Sequence, residues 1–385
     1  MLNNGSVLTG RDKLKVCIVG GGNIGSLLLG DLGKRRDVSV SLLTSKPERW
    51  GRVMEVYTSD DILKYSGNID KVSNKPEEVI AEADIILCTV PSHVFPGIFN
   101  KIKPYFKPGA WIGVMPGSGG VEFYAKDLVT DGYTLFGFQR VHGISRIKEY
   151  GKSVYDLGKK SELFIGSIPA DKIGEVKKVV EELLGIPCHT LSNYLNVTLT
   201  PSNPILHTTR LYSMFRDYQE GMYWDRPIYF YEEWTDDSSR ILIACDDELQ
   251  KMCRMIKGLD LRGVKSLKEH YESDTVEKMT KKIKSIKAFK GIATPMVKTD
   301  KGFVPDFQSR YFLEDFPYGL CIIKGFCDVV GLETPAIDKV LMWFEKIAKV
   351  SYYKDGKFAG PDLEGLPIPK NFGIKTVEDI VRFYN

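Results

Sequence analysis

The stretch KLKVCIVGGGNIGSLLLGDLGKRRDVSVSLLT, residues 13–44, constrains the fold more than any other part of the chain. Lys13 to Val19 is mostly apolar and β-branched, the composition of a strand buried on both faces. Three glycines follow in GxGxxG spacing: Gly20, Gly22 and Gly25. The first allows a tight turn, the second lets backbone approach a pyrophosphate, and the third lets a helix pack close to the strand. Asn23 and Ile24 open that helix, whose free N–H groups and positive dipole end suit an anion. Val38 to Leu43 reads as a second strand at the distance a βαβ unit needs. The glycines alone would also fit a turn with no ligand. The strand before them, and the helix and strand after them, select a dinucleotide site.

The end of the second strand normally carries an Asp or Glu for the adenosine ribose hydroxyls. Here Thr44 takes that place, followed by Ser45, Lys46 and Arg49. A missing acid removes repulsion against a ribose phosphate and the cations could hold one, so the reading leans to NADP over NAD. The alternative is that Lys46 and Arg49 belong to a solvated loop. Further buried strands follow in ADIILCTVP, GAWIGVMPGSGG, YTLFGF and ELFIGSIP. Strands alternating with helices imply an α/β Rossmann domain built on a doubly wound parallel sheet. Ligands sit at the carboxyl ends of such strands, which makes Val90, Pro91 and the loop around Ser118 candidates for the nicotinamide end. The glycines beside Ser118 offer backbone N–H groups to a substrate anion, or mark an ordinary helix start.

PCHTLSNYLNVTLT, from Pro187 to Thr200, reads as the last strand of this domain, and PSNP breaks it. Helical patterns dominate thereafter. DDSSRILIACDDELQKMCRMIKGL opens on an Asp/Ser cap, DTVEKMTKKIKSIKAF is a solvated basic helix, and PAIDKVLMWFEKIAKV starts with Pro at its first position. The expected organisation is a leader at 1–12, a nucleotide domain at 13–198 and an all-α domain at 199–385, with the active site between the two domains.

A net charge of +3, with no long run of one sign, gives no footprint for nucleic acid or a membrane surface. The apolar runs are too short to span a bilayer, and the polar N-terminus does not read as a signal peptide. Seven cysteines without a CxxC pair suit a reducing, cytoplasmic setting and no structural zinc site. The expected partners are small-molecule substrates, with room for a homodimer.

Hydride transfer needs a proton donor, a group that orients it, and a cation for a substrate carboxylate. Among five histidines, His207 stands on the first helix after the domain boundary, beside Ile205, Leu206 and Leu211. A partly buried core histidine is the competing reading. The charged stretch SRYFLEDFPYGL, residues 309–320, runs straight into the apolar CIIKGFCDVVG. Pro317 suits the first turn of a buried helix, which leaves Asp315 at its positive end. Arg310 and Glu314, four residues apart, could pair on a helix face. Otherwise Asp315 orients a histidine and Arg310 grips a carboxylate bidentately.

KVCIVGGGNIG, SRIKEYGK, NPILH, KGFVPDFQSRYFLEDFPYGL and IDKVLMWFEKI resemble the opine dehydrogenases, the octopine/nopaline dehydrogenase family, from about residue 13 to near the C-terminus. The RYxxEDxPxG segment is the most specific part of the likeness. The resemblance implies a His207–Asp315 pair for proton chemistry and Arg310 as the carboxylate anchor. It implies condensation of an α-keto acid with the amino group of an amino acid, the imine then being reduced by NAD(P)H. It also turns the segment GFQRVHGISRIKEYG toward the substrate. With Gln139, Arg140, His142 and Ser145, and no acid before Glu149, that segment argues against arginine as the amino donor. Two rivals remain: a 2-oxoacid or 3-hydroxyacid reductase that needs no amine, and a dinucleotide-sensing regulator without activity.

Overall fold

The computed structural model describes residues 13–385, and the leader expected at 1–12 lies outside them. The chain divides into two units, 13–198 with 384–385, and 199–383.

The strands of the first unit are β1 (Leu14–Val19), β2 (Val38–Leu43), β3 (Val53–Tyr57), β4 (Leu63–Asn68), β5 (Lys71–Ser73), β6 (Ile85–Cys88), β7 (Trp111–Val114), β8 (Thr134–Phe138), β9 (Gly143–Glu149), β10 (Ser153–Lys159), β11 (Leu163–Ile168) and β12 (Cys188–Thr190). Eight of them form a sheet in the order β12-β11-β8-β7-β6-β1-β2-β5, with β1 at the switch point between β2 and β6. Every neighbouring pair is parallel except β8 and β11. A parallel neighbour needs a crossover. The chain between β8 and β11 makes the antiparallel β9–β10 pair instead, and β11 comes back reversed.

The remaining strands form a second sheet, β4-β3-β10-β9, which the sequence reading did not anticipate. Helix α1 (Asn23–Gly33) packs against strands of both sheets, so Gly25 to Leu32 are buried without a break. That explains LLLG in place of an amphipathic stripe: a helix covered all round is apolar all round. Asp31 is the buried charge on α1. Burial pushes its carboxyl up, yet hydrogen bonds from His142, Lys159 and Tyr65 outweigh that and bring it down to about 2. The stretch read as a last strand is strand only at β12 and becomes a helical turn at Leu195–Thr198.

The second unit is built on helices Ser202–Phe215, Asp236–Met255, Val276–Ser285 and Pro335–Ala348, the long second one touching the other three. Its N-cap is Thr235, whose hydroxyl accepts from Ser238 N at 3.2 Å, rather than the Asp/Ser pair. A hairpin, β13 (Met296–Thr299) and β14 (Gly302–Pro305), adds a small sheet to an otherwise helical unit. Among the described residues, no helix is long and apolar enough to cross a membrane.

Candidate active site

The glycine turn has the build of a phosphate cradle. Gly20 has φ +109°, and a Cβ there would stand 2.9 Å from Val90 Cγ1. A Cβ on Gly25 would stand 1.9 Å from the Gly20 carbonyl oxygen, so the helix can come this close only with glycine. A Cβ on Gly22 would meet nothing within 4 Å, which leaves open space above the start of α1. Among the described residues no side chain caps that helix and no acid stands in its first turn, which leaves its positive end suited to an anion. These features fit a dinucleotide pyrophosphate. Asn23 stands at the start of α1. Its side-chain oxygen accepts from Ile147 N at 2.8 Å, and its carbonyl accepts from the Ser145 hydroxyl at 3.0 Å, tying the turn to β9. Ile24 packs against the core of this unit.

At the end of β2, Thr44 is buried and its hydroxyl accepts from Lys46 N at 3.4 Å. Ser45 and Arg49 are exposed, and Arg49 lies over the Tyr150 ring at 4.6 Å. Trp50, which the sequence reading passed over, meets the same ring edge-on at 5.4 Å and lies against the backbone of Gly21. Val90 and Pro91, beyond β6, are half-buried. Ser118 is half-buried before two left-handed glycines, but the helix that follows, Val121–Tyr124, is one turn long and brings little dipole to an anion. Gln139 gives a side-chain N–H to the Asn196 carbonyl at 2.8 Å.

The second unit brings the candidate histidine and acid together. His207 stands on helix Ser202–Phe215, within a run buried from Pro204 to Tyr212. Asp315 comes immediately before one π-helical turn, Phe316–Leu320, that leads into helix Cys321–Val329. Its backbone carbonyl accepts from Leu320 N at 2.9 Å, while its side chain caps nothing. The carboxylate instead meets His207 Nδ1 at 2.8 Å, across 108 residues of chain. The two side chains are 10% and 14% exposed, sheltered yet reachable. A carboxylate only accepts, so Nδ1 carries the proton. His207 Nε2 lies 3.0 Å from the Tyr231 hydroxyl. The imidazole is pinned between Tyr311, at 4.7 Å, and the edge of Phe230, at 5.6 Å.

Tyr231 escaped the sequence reading because PIYFYEEW has no helical or strand period. Arg310 is 68% exposed, with Nε 3.8 Å from Glu314 Oε2, the (i, i+4) pairing weighed against the carboxylate reading. His142 is buried between Met115 Sδ at 3.3 Å and Asp31 Oδ2 at 3.2 Å. His142 and the Ser145 hydroxyl thus make their contacts within the first unit. His189 is exposed on Glu162 at 2.8 Å. A cavity of about 840 Å³ lies elsewhere in the second unit, beside Lys324, Asp328, Asp338 and Tyr353. Those groups already satisfy one another, Lys324 reaching Asp328 at 3.0 Å and Asp338 at 2.9 Å.

Residues 190–348 match the family described as NAD/NADP octopine/nopaline dehydrogenase, alpha-helical domain. The chain is 30% identical to the tauropine dehydrogenase of Arabella iricolor over 396 aligned residues, which cover 94% of this chain and 99% of that protein. Octopine dehydrogenase in complex with NADH and L-arginine superposes with a TM-score of 0.83 at 27% identity, covering 96% of this chain and 98% of that one. The same enzyme with NADH and pyruvate gives a TM-score of 0.82 at 26% identity, with equal coverage. Likeness of this extent to a whole relative, on a fold that supplies both the glycine cradle and the histidine–aspartate pair, settles the family: the chain belongs to the opine dehydrogenases, NAD(P)-dependent oxidoreductases acting on the CH–NH group.

Proposed function

We propose that this enzyme joins a pyruvate-like α-keto acid to the amino group of an amino acid and reduces the imine to a secondary amine, with His207 as the source of the proton. The observation that carries the reading is the 2.8 Å contact between His207 Nδ1 and Asp315. A ring held this way keeps one tautomer and one orientation, as a general acid requires. Bound on the glycine cradle, the reduced nicotinamide supplies the hydride. Arg310, largely exposed, grips the substrate carboxylate when it leaves Glu314. An α-keto acid and an amino acid as co-substrates accord with what octopine dehydrogenase binds, pyruvate and L-arginine, and the assay below names the amino donor. The cofactor preference leans to NADP, because Thr44 presents no charge to a ribose phosphate. Seven free, buried thiols suit a cytoplasmic setting.

The test is consumption of NADPH and NADH with pyruvate alone, then with pyruvate and single amino acids. Turnover that needs both substrates supports the reading, and turnover with pyruvate alone makes the enzyme a plain keto-acid reductase. His207→Ala and Asp315→Asn should each lower kcat by about 10²–10⁴-fold with cofactor binding retained. A near-normal kcat in His207→Ala removes the assignment.

A further inference from the structure

Both ring nitrogens of His207 are engaged inside the second unit. Nδ1 faces Asp315 at 2.8 Å and Nε2 faces the Tyr231 hydroxyl at 3.0 Å. The first carries its proton toward a carboxylate, so Nε2 is the nitrogen that can exchange a proton with anything else, and Tyr231 occupies it. Either Tyr231 moves aside when substrate arrives, or the proton passes through it.

The surroundings of Tyr231 oppose movement. Its ring stacks on Phe289 with centroids 4.0 Å apart and an interplanar angle of 18°, and it lies within 7° of parallel to Trp234. It is 5% exposed. The backbone on either side is lashed down by Arg210, which donates to the Phe230 carbonyl at 2.9 Å and the Glu233 carbonyl at 2.8 Å. Arg210 is itself 2% exposed. The imidazole is equally confined, between Tyr311 and Phe230. Two clamped rings in hydrogen-bond contact make a path for a proton rather than a gate.

We infer that Tyr231 is the terminal proton donor of the reaction and that His207 acts through it. The inference rests on the reading of His207 given above. A phenol donates and accepts at once, so it can take a proton from Nε2 while giving its own away, without standing as a free tyrosinate. In the step proposed, the Tyr231 O–H bond breaks as an N–H bond forms at the imine nitrogen. The His207 Nε2–H bond breaks as the Tyr231 O–H bond re-forms. The imine carbon gains the hydride and its electron pair from the reduced nicotinamide of the established activity, which becomes oxidised. His207 ends neutral and regains its proton from solvent. The net change is imine plus hydride plus proton to secondary amine.

The experiment compares Tyr231→Phe, His207→Ala and the unaltered enzyme with pyruvate, an accepted amino acid and the reduced cofactor. It reads kcat, KM and cofactor affinity, together with the rate in graded H₂O/D₂O mixtures. A nicotinamide deuterated at its reactive carbon fixes the pH at which hydride transfer limits. The expected result is a loss in kcat of about 10²-fold or more in Tyr231→Phe, with cofactor affinity kept and a curved isotope dependence in the unaltered enzyme from two protons in flight. If Tyr231→Phe stays within about threefold of normal while His207→Ala is inactive, the relay is overturned and His207 donates directly. A linear isotope dependence in the unaltered enzyme overturns it as well, even if Tyr231→Phe does not fold. Should His207→Ala remain active, the reading of His207 falls and the relay with it.

Discussion

Replacing Glu122 by Gln isolates the cost of one buried carboxyl in the first unit. Glu122 is 1% exposed. Its Oε1 accepts from the Thr198 hydroxyl at 2.5 Å and from the Tyr384 hydroxyl at 2.7 Å, while Oε2 meets no hydrogen-bond partner among the described residues. Burial outweighs those two bonds and pushes the carboxyl from its ordinary 4.5 up to about 7. The sign follows from proton counts. Below the ordinary value both states are protonated and nothing is lost. Between the two values the unfolded chain ionises while the folded one holds its proton, so stability falls as pH rises. Above about 7 the deficit is constant. The interval from 4.5 to about 7, at about 1.4 kcal/mol per pH unit, gives roughly 3 kcal/mol as an upper bound. Gln keeps the shape and an oxygen for both hydroxyls but carries no charge at any pH. Its amide takes the place of Oε2, and leaving it without a partner costs about 1–3 kcal/mol. The protonated acid already bears a similar cost. Glu122→Gln should therefore raise the urea midpoint at pH 8, by about 1–3 kcal/mol in unfolding free energy, and leave it nearly unchanged at pH 5. Equal effects at the two pH values, or a loss at pH 8, would refute the argument.

Two further substitutions separate fold from ligand in the glycine turn. Gly25→Ala places a methyl 1.9 Å from a backbone oxygen, and the melting temperature should fall together with cofactor affinity. Gly22→Ala meets no protein atom within 4 Å and has φ −82°, so the melting temperature should hold while affinity for the reduced cofactor drops about tenfold or more in a fluorescence titration. Thr44→Asp keeps the oxygen that accepts from Lys46 N and adds a charge at the end of β2, so kcat/KM for NADPH relative to NADH should fall about tenfold or more. An unchanged ratio would show that the ribose does not face this residue.

The parts of the fold that were legible are those whose signal is local. β1, the glycines, α1 and β2 lie within one short segment, and period and turn chemistry suffice to order them. The helices of the second unit carry their stripes and their starts in their own residues, as with Pro335 at its first position. The second sheet had no such signal. It pairs β3 with β10, about a hundred residues later, and nothing local in either strand names a partner so far along the chain. The reversal of β11 was equally hidden, because strand direction depends on the connection and not on composition. In the segment from Gly137 to Gly151, His142 and Ser145 make contacts inside the first unit that no local signal announces.

The candidate site divides along the same line. Asp315 could be placed at a helix start because Pro317 and the apolar run behind it announce one, yet its role depends on what its side chain ignores. Had it capped the turn, it could not hold His207. The π-helical turn carries its backbone bond from Leu320 N to the Asp315 carbonyl, and the carboxylate is left to the imidazole. Tyr231 lies one step further from view, since its place depends on a residue that reads as an ordinary helix arginine. Arg210 is buried, and burial pushes its guanidinium down to about 10, yet it remains charged at neutral pH and keeps its three bonds to Phe230, Glu233 and Ser238. A buried charge of this kind is costly unless fully satisfied. Here Arg210 is held by the Ser238 hydroxyl and by the carbonyls of Phe230 and Glu233, and those same bonds fix the irregular segment that keeps the Tyr231 hydroxyl 3.0 Å from His207 Nε2.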